Sequence, residues 1–454
     1  MTDPATQGPL GAPYLAVDVQ PDNLEGVFTL DVSELDGPDA LGWLEQDAGV
    51  WVNVVCDVRS VSARRGVSRL QGVLTRAEAG MATVVVDDWS GLLDPLLNGS
   101  SVHKGTPFRL RAWGYELDPD TLESVTWTET LFTGEVDELV AEYLPGLPAT
   151  VTVTAVDLVA VLAAWEAPGR DGDGVGTGDD LLGRVQRALD EAGRGEVDVA
   201  GSDPTYAATL LPTKLQRLWD TISAAADAEL GRVWVDVDNR LVLRSRNSQL
   251  TGPIRGTLSD VHGDAVESPH TCMSAATVVH GVELLANRVA GSRRALDGED
   301  QSTIPVTRRD DTYSQARYGV GSVDRTGQLE LETDAQVDAW AEAVAVAGAE
   351  PELRVDTVDP SPATDDVDSA EAQWRAIART RIGDRWRFRF HPLAGHAVDR
   401  VVGVLGVELS LAPDGWSVRW TTTETVAGGW FTLDVSELSG QDVLAPFAVP
   451  IPAP

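Results

Sequence analysis

Residues 82–113 read ATVVVDDWSGLLDPLLNGSSVHKGTPFRLRAW, and after an acidic loop residues 130–136 read TLFTGEV. Three short runs, Ala82–Val86, Pro107–Trp113 and Leu131–Val136, are rich in β-branched and aromatic side chains. The segments between them are rich in Asp, Gly, Pro, Asn and Ser. Such alternation predicts antiparallel strands joined by turns. No catalytic signature lies in the stretch, so its message is architectural.

Outward from it the β-pattern continues. Strands are expected from Trp51, at Val67–Leu74, Val125–Val136 and Thr150–Val156, which makes a first β-domain over 47–165 with the spacing of a barrel or sandwich. An α+β lobe follows over 166–252. Its first helix carries Leu181, Leu182, Val185 and Leu189 on one face, and its second carries Leu218, Ile222 and Ala225. A hairpin turns at Asp238-Asn239. Residues 253–425 form a second β-domain with an inserted helix, which opens on a capping box at Thr333 and Gln336. Residues 295–309 and 358–369 are read as loops. Residues 382–390, IGDRWRFRF, alternate strictly, with Trp386, Phe388 and Phe390 on one face and Arg385, Arg387 and Arg389 on the other. The arginine row is either a solvated face or a cationic edge for an acidic face on a neighbouring subunit.

The ends read as extended arms, 1–46 and 426–454. Phe28-Thr-Leu-Asp-Val-Ser-Glu-Leu35 returns as Phe431-Thr-Leu-Asp-Val-Ser-Glu-Leu438. One reading is a recent duplication. The other is a pair of docking strands presenting Phe28, Leu30, Val32 and Leu35, and Phe431, Leu433, Val435 and Leu438.

The chain of 454 residues has a net charge of −36, with 71 acidic and 35 basic residues. Wrapping of nucleic-acid phosphates needs clustered cations and is disfavoured. No apolar run is long enough to span a membrane, and residues 1–20 show no secretory pattern. Cys56 and Cys272 are expected as free thiols, with a single long-range disulfide as the alternative. The run Asp171–Asp180 lacks the glutamate that a calcium loop needs at its twelfth position, so it reads as a linker ending in a helix cap. No metal, cofactor or catalytic residue is expected. A glycan-binding protein or a glycan hydrolase is the alternative class, because the chain has 14 Trp and many loop carboxylates.

The segment Asp88-Trp-Ser-Gly-Leu-Leu-Asp-Pro95, the Pro107-Phe-Arg-Leu strand, Phe132-Thr-Gly134, the hairpin 231–246 and Gly415-Trp416 together resemble minor tail proteins. These are the distal tail hub proteins of long-tailed, siphovirus-type phages of actinobacteria. The resemblance spans about residues 50–425. It implies a mainly β protein with an α+β lobe: two tail-tube-like β-barrel domains separated by a small helical and hairpin lobe, with extended terminal arms. It further implies a homotrimeric hub in the virion at the tail tip, assembled in the host cytoplasm. Its partners would be distal tail, tail-tube, tape measure and fibre or spike proteins, with DNA passing and not specifically bound. On that reading Glu129, Glu135, Asp137, Glu138 and Glu142 are candidate lumen acids.

Overall fold

The computed structural model describes residues 12–21, 51–70, 76–97, 101–117, 124–165, 176–191, 193–194, 199–200, 208–212, 217–246, 252–261, 268–296, 298–351, 353–363, 367–393, 398–412 and 415–425. It is mainly β, with 47 % strand against 21 % helix.

The first strands are β1 Tyr14–Val19, β2 Val52–Asn53, β3 Cys56–Gly66, β4 Glu78–Asp88, β5 Pro107–Leu117, β6 Ser124–Glu142 and β7 Ala149–Val156. They pair antiparallel in the order β3-β4-β7-β6-β5-β1-β2. β2 runs into β3 after two residues, and Val54 N–H donates to Val17 O at 2.9 Å, so the pairing returns to its start. Alternation explains the inside. Val61, Ala63, Ala82, Val84, Val86, Phe108, Leu110, Val151 and Val153 are buried on one face of successive strands.

Next come α1 Leu158–Ala164, α2 Leu181–Glu191, β8 Val199–Ala200, α3 Leu218–Glu229, β9 Arg232–Val235 and β10 Leu241–Arg244. The expected lobe elements are present. Asp180 caps α2 by accepting from Gly183 N–H at 2.7 Å. Asn239 turns the β9–β10 hairpin at φ 62°.

The remaining elements are β11 Ile254–Ser259, β12 His270–His280, β13 Arg288–Arg293, β14 Thr307–Asp310, α4 Thr312–Tyr318, β15 Ser322–Leu329, α5 Asp334–Ala347, β16 Leu353–Pro360, α6 Val367–Arg379, β17 Arg385–Phe390, β18 Val398–Ala412 and β19 Gly415–Thr425. Six of them form a second circuit of paired strands, β17-β11-β12-β16-β19-β18, closed by β17–β18. Trp386, Phe388 and Trp420 fill it, and the two indoles lie 5.2 Å apart. The alternation of residues 385–389 is as expected, but Phe390 stays 37 % exposed.

Five expectations change. The strand expected at Val67–Leu74 is not a strand over residues 67–70, because β3 ends at Gly66. Part of the N-terminal arm is a strand: β1 pairs with β5, with Val17 and Val19 buried and Asp18 held by Arg109 and Arg111. Within the segment read as a loop, β14 is a strand pairing with β13. The loop assigned to 358–369 ends in α6, whose Ala370, Trp374, Ala376 and Ile377 are buried at helical spacing. The insertion in the second β-domain is larger than one helix. Its Val289, Leu329, Trp340 and Val344 share one core with Leu162 of α1 and with Val185, Ile222 and Leu241 of the lobe. The capping box at Thr333 and Gln336 is present as read.

Candidate assembly surfaces

Two circuits need a joint, and β18 supplies it. Its first part closes its own circuit against β17, and its residues Gly406–Leu411 pair antiparallel with Gly66–Val61 of β3. Both circuits therefore belong to one sheet of thirteen strands. Glycine is required here. Gly66 has φ +78°, and a Cβ on it would lie 2.3 Å from Leu405 O. A Cβ on Gly406 would lie 2.0 Å from Val67 O.

Helix α6 braces the joint. Arg379 and Arg381 both pair with Glu129 of β6, the latter at 3.5 Å. Trp374 meets Trp416 edge-on at 5.4 Å, and Arg375 lies 5.8 Å from the Trp127 ring. Beneath it, burial, reinforced by nearby Arg381, pulls the Arg65 guanidinium down to about 9.

The outer face of the shared sheet is rich in short hydroxyl side chains, with Met81, Val85 and Val140 interspersed. Thr83, Thr150, Thr152 and Thr154 are half-buried there, and Ser62 and Ser410 are exposed. Two cations on this face are matched, Arg59 with Asp87 at 2.8 Å and Arg419 with Asp359 at 2.8 Å, while Arg64 is exposed beside Ser62.

The five acids singled out in the sequence do not act as one group. Glu129 belongs to the brace. Glu135 pairs with Arg194 at 3.1 Å, and Asp137 with Lys104 at 2.6 Å. Glu138 and Glu142 are exposed on β6, across from Thr154 and Thr150 of the outer face. The arginine row also has internal uses. Arg387 grips Asp399 with two bonds of 2.9 and 3.0 Å, Arg389 reaches the same carboxylate at 3.6 Å, and Arg385 donates to Gly252 O at 2.8 Å. The proposed docking residues Phe28, Leu30, Val32, Leu35, Phe431, Leu433, Val435 and Leu438 lie outside the described residues.

One surface went unread in the sequence. At the end of the first circuit the loop after β4 is tied down by its own acids. The buried Asp88 carboxylate accepts from the backbone N–H of Ser90, Gly91, Leu93 and Asp94. Asp94 accepts from Leu96 N–H at 2.8 Å and from the Tyr143 hydroxyl at 2.6 Å. Leu93 anchors the loop in the core, while Leu96 and Leu97 remain 76 % and 71 % exposed. Trp89 on the same loop is exposed too, as are Leu144 and Leu147, which follow the Tyr143 that bonds Asp94. A rigid apolar rim results. The signal was present in the sequence as two acids flanking Leu-Leu pairs, but alternation alone could not say which leucines point out.

Among the described residues no group of three or more His, Cys, Asp or Glu side chains converges as a metal site. Asp179 is committed to Arg187, whose hydrogen bond holds its carboxyl below the usual range. Cys56 and Cys272 are free thiols, and burial pushes Cys56 up to about 12. Among the described residues no helix is long and apolar enough to cross a membrane.

No protein-family model matches the chain, and no curated protein matches it in sequence. Solved structures do. The tail protein of Neisseria meningitidis superposes with a TM-score of 0.50 at 12 % identity, covering 84 % of this chain and 95 % of that one. The 43 kDa tail protein of a Shewanella oneidensis prophage gives 0.48 at 12 %, covering 83 % and 95 %. A type VI secretion component of E. coli, described as structurally similar to bacteriophage tail proteins, gives 0.44 at 9 %, covering 82 % and 75 %. The chain thus shares the fold of a solved tail protein over most of both lengths.

Proposed function

We propose that this chain is a structural component of a phage-type tail in the virion. It would be a hub at the tail tip that closes or adapts the end of the tail tube and joins it to fibre or spike components. In this reading each circuit is a tube-type barrel. Three copies, assembled in the host cytoplasm, give a ring of six barrels that matches a sixfold tube. The observation that carries the reading is the β3–β18 junction, which fuses two like circuits into one sheet. Distal tail, tube and tape measure proteins are its expected neighbours. The apolar rim of Trp89, Leu96, Leu97, Leu144 and Leu147 is a suitable axial contact, because it is pre-ordered and apolar.

The outer face of the shared sheet forms part of the DNA exit channel in this reading. Apart from Arg64, the small hydroxyl side chains and the free carboxylates Glu138 and Glu142 offer a polyanion little to hold, and the net charge of −36 repels it. Burial of Trp340, Trp386 and Trp420 weighs against a glycan platform, which needs exposed aromatic faces.

Electron microscopy of the purified chain mixed with isolated tail tubes tests the proposal. Rings with a central channel seated on tube ends are expected. Chains that never associate with tube ends overturn it.

A further inference from the structure

One run of β12 is bare. Its pairing with β11 ends at Cys272, and from Thr277 to His280 β16 is the only neighbouring strand among the described residues. Exposure shows the gap. Val278 pairs with Val355 and points to the same side, yet Val355 is 1 % exposed and Val278 is 45 % exposed. The apolar inside of the circuit is therefore uncovered here. On the other face Thr277 continues the hydroxyl row of Thr421 and Thr357. A strand that fits beside it carries apolar side chains on one face and short polar ones on the other.

The last described strand ends level with this run. β19 sets Thr421 opposite Thr357 and continues to Thr425, which brings its end level with Leu353, the partner of His280. Both β12 and β19 run antiparallel to β16, so a chain that turns back after Thr425 runs antiparallel to β12. The slot beside β12 lies three strand spacings from β19, about 14 Å. Residues 426–430, Val-Ala-Gly-Gly-Trp, reach about 17 Å when extended. Phe431-Thr-Leu-Asp-Val-Ser-Glu-Leu438 follows them. Its Phe431, Leu433 and Val435 alternate with Thr432, Asp434 and Ser436, which is the pattern of faces that the slot requires.

We propose that residues 431–438 add to the bare run of β12 in the same chain, as an antiparallel edge strand. The spatial order becomes this segment, β12, β16 and β19, the arrangement of a Greek key. Phe431, Leu433 and Val435 cover Val278 and extend the core, while Thr432, Asp434 and Ser436 continue the polar outer face. The occupant is this segment because its tether starts level with the slot, is long enough to reach it and delivers the right direction and pattern. Covered in this way, β12 presents no free ladder groups to other sheets. The proposal stands on the ladder and the sequence and is independent of the tail reading.

Hydrogen–deuterium exchange of the full chain tests it. Those amides of residues 277–280 that face away from β16 are expected to be protected. The full-length double variant Leu433→Pro/Val435→Pro, which cannot hold a ladder there, should exchange them about tenfold faster or more. Exchange of the β4–β7 ladder should be the same in both. A synthetic peptide of residues 429–440, added to the chain truncated after Thr425, should restore the protection. Equal exchange in the parent and the double-proline variant overturns the proposal. Protection that disappears on dilution also overturns it, because the occupant is then a second copy. So does protection lost only when Leu30 and Val32 are replaced by proline, because the other octapeptide is then the occupant.

Discussion

The two circuits share strand order, a long strand with the same irregularity and a buried apolar inside, yet they differ in three places. β1 enters its circuit antiparallel to both neighbours, whereas β11 runs parallel to both of its own. The link between the third and fourth strands of a circuit is the acid-locked rim in the first and helix α6 in the second. The second circuit also carries the insertion β13–α5 where the first has a short connection. Strand direction can reverse because closure asks only for an apolar face inward and a paired edge on each side. The connections vary because they lie outside the ladder, and there each circuit acquires its own surface.

The joint is where the comparison breaks most easily. Gly406→Val should cost about 3 kcal/mol or more, because backbone at 2.0 Å cannot yield. Urea unfolding should then separate into two transitions, one per circuit; a single unshifted transition would contradict the joint as described. Next is the rim. Asp88→Ala strands several backbone donors, two of them, at Leu93 and Asp94, in buried contacts, and should cost about 2 kcal/mol. Limited proteolysis should cut first within residues 89–97, with the second circuit unaffected.

A smaller effect depends on pH. Asp157 caps α1 at the end of the first circuit, and burial raises its carboxyl to about 7, against the opposing pull of amides from Gly80, Ala160 and Val159. The protonated form is therefore favoured in the fold. Its contribution is complete below the unfolded carboxyl value of about 4 and declines as pH rises towards about 7. Thermal melts should show this fall between those limits, and Asp157→Asn should flatten it even if the baseline drops. Least of all, Glu129→Gln should cost about 0.5–1 kcal/mol, since Arg379 is half exposed. The loss should shrink in high salt; a salt-independent loss would argue against an ionic brace.

Much of the local structure was legible. The Trp386/Phe388 alternation, the Asp180 cap, the Asn239 turn and the Thr333 capping box all follow from spacing and from what each side chain can bond. Helix α6 repeats Ala370, Trp374 and Ile377 at helical intervals, but the Pro/Asp-rich sequence before it carries the composition of a loop. β1 is not legible because its six residues lie between polar, proline-containing segments, and only its partners Arg109 and Arg111 on β5 and Asn53 on β2 explain a buried Asp18. Acidic residues were the least legible. Glu129 and Glu138 share a strand, yet one is spent on Arg379 and the other is free.

The sequence by itself determined most of the strands, the caps and turns at Asp180, Asn239 and Thr333, and that the protein is mainly β and strongly acidic. Those properties depend on neighbours within a few residues. Only the tertiary structure decided that thirteen strands close as two like circuits and that β18 crosses from one to the other. The reason is physical. Ladder hydrogen bonds are made by backbone groups common to every residue, so pairing between strands hundreds of positions apart leaves little trace in side-chain order.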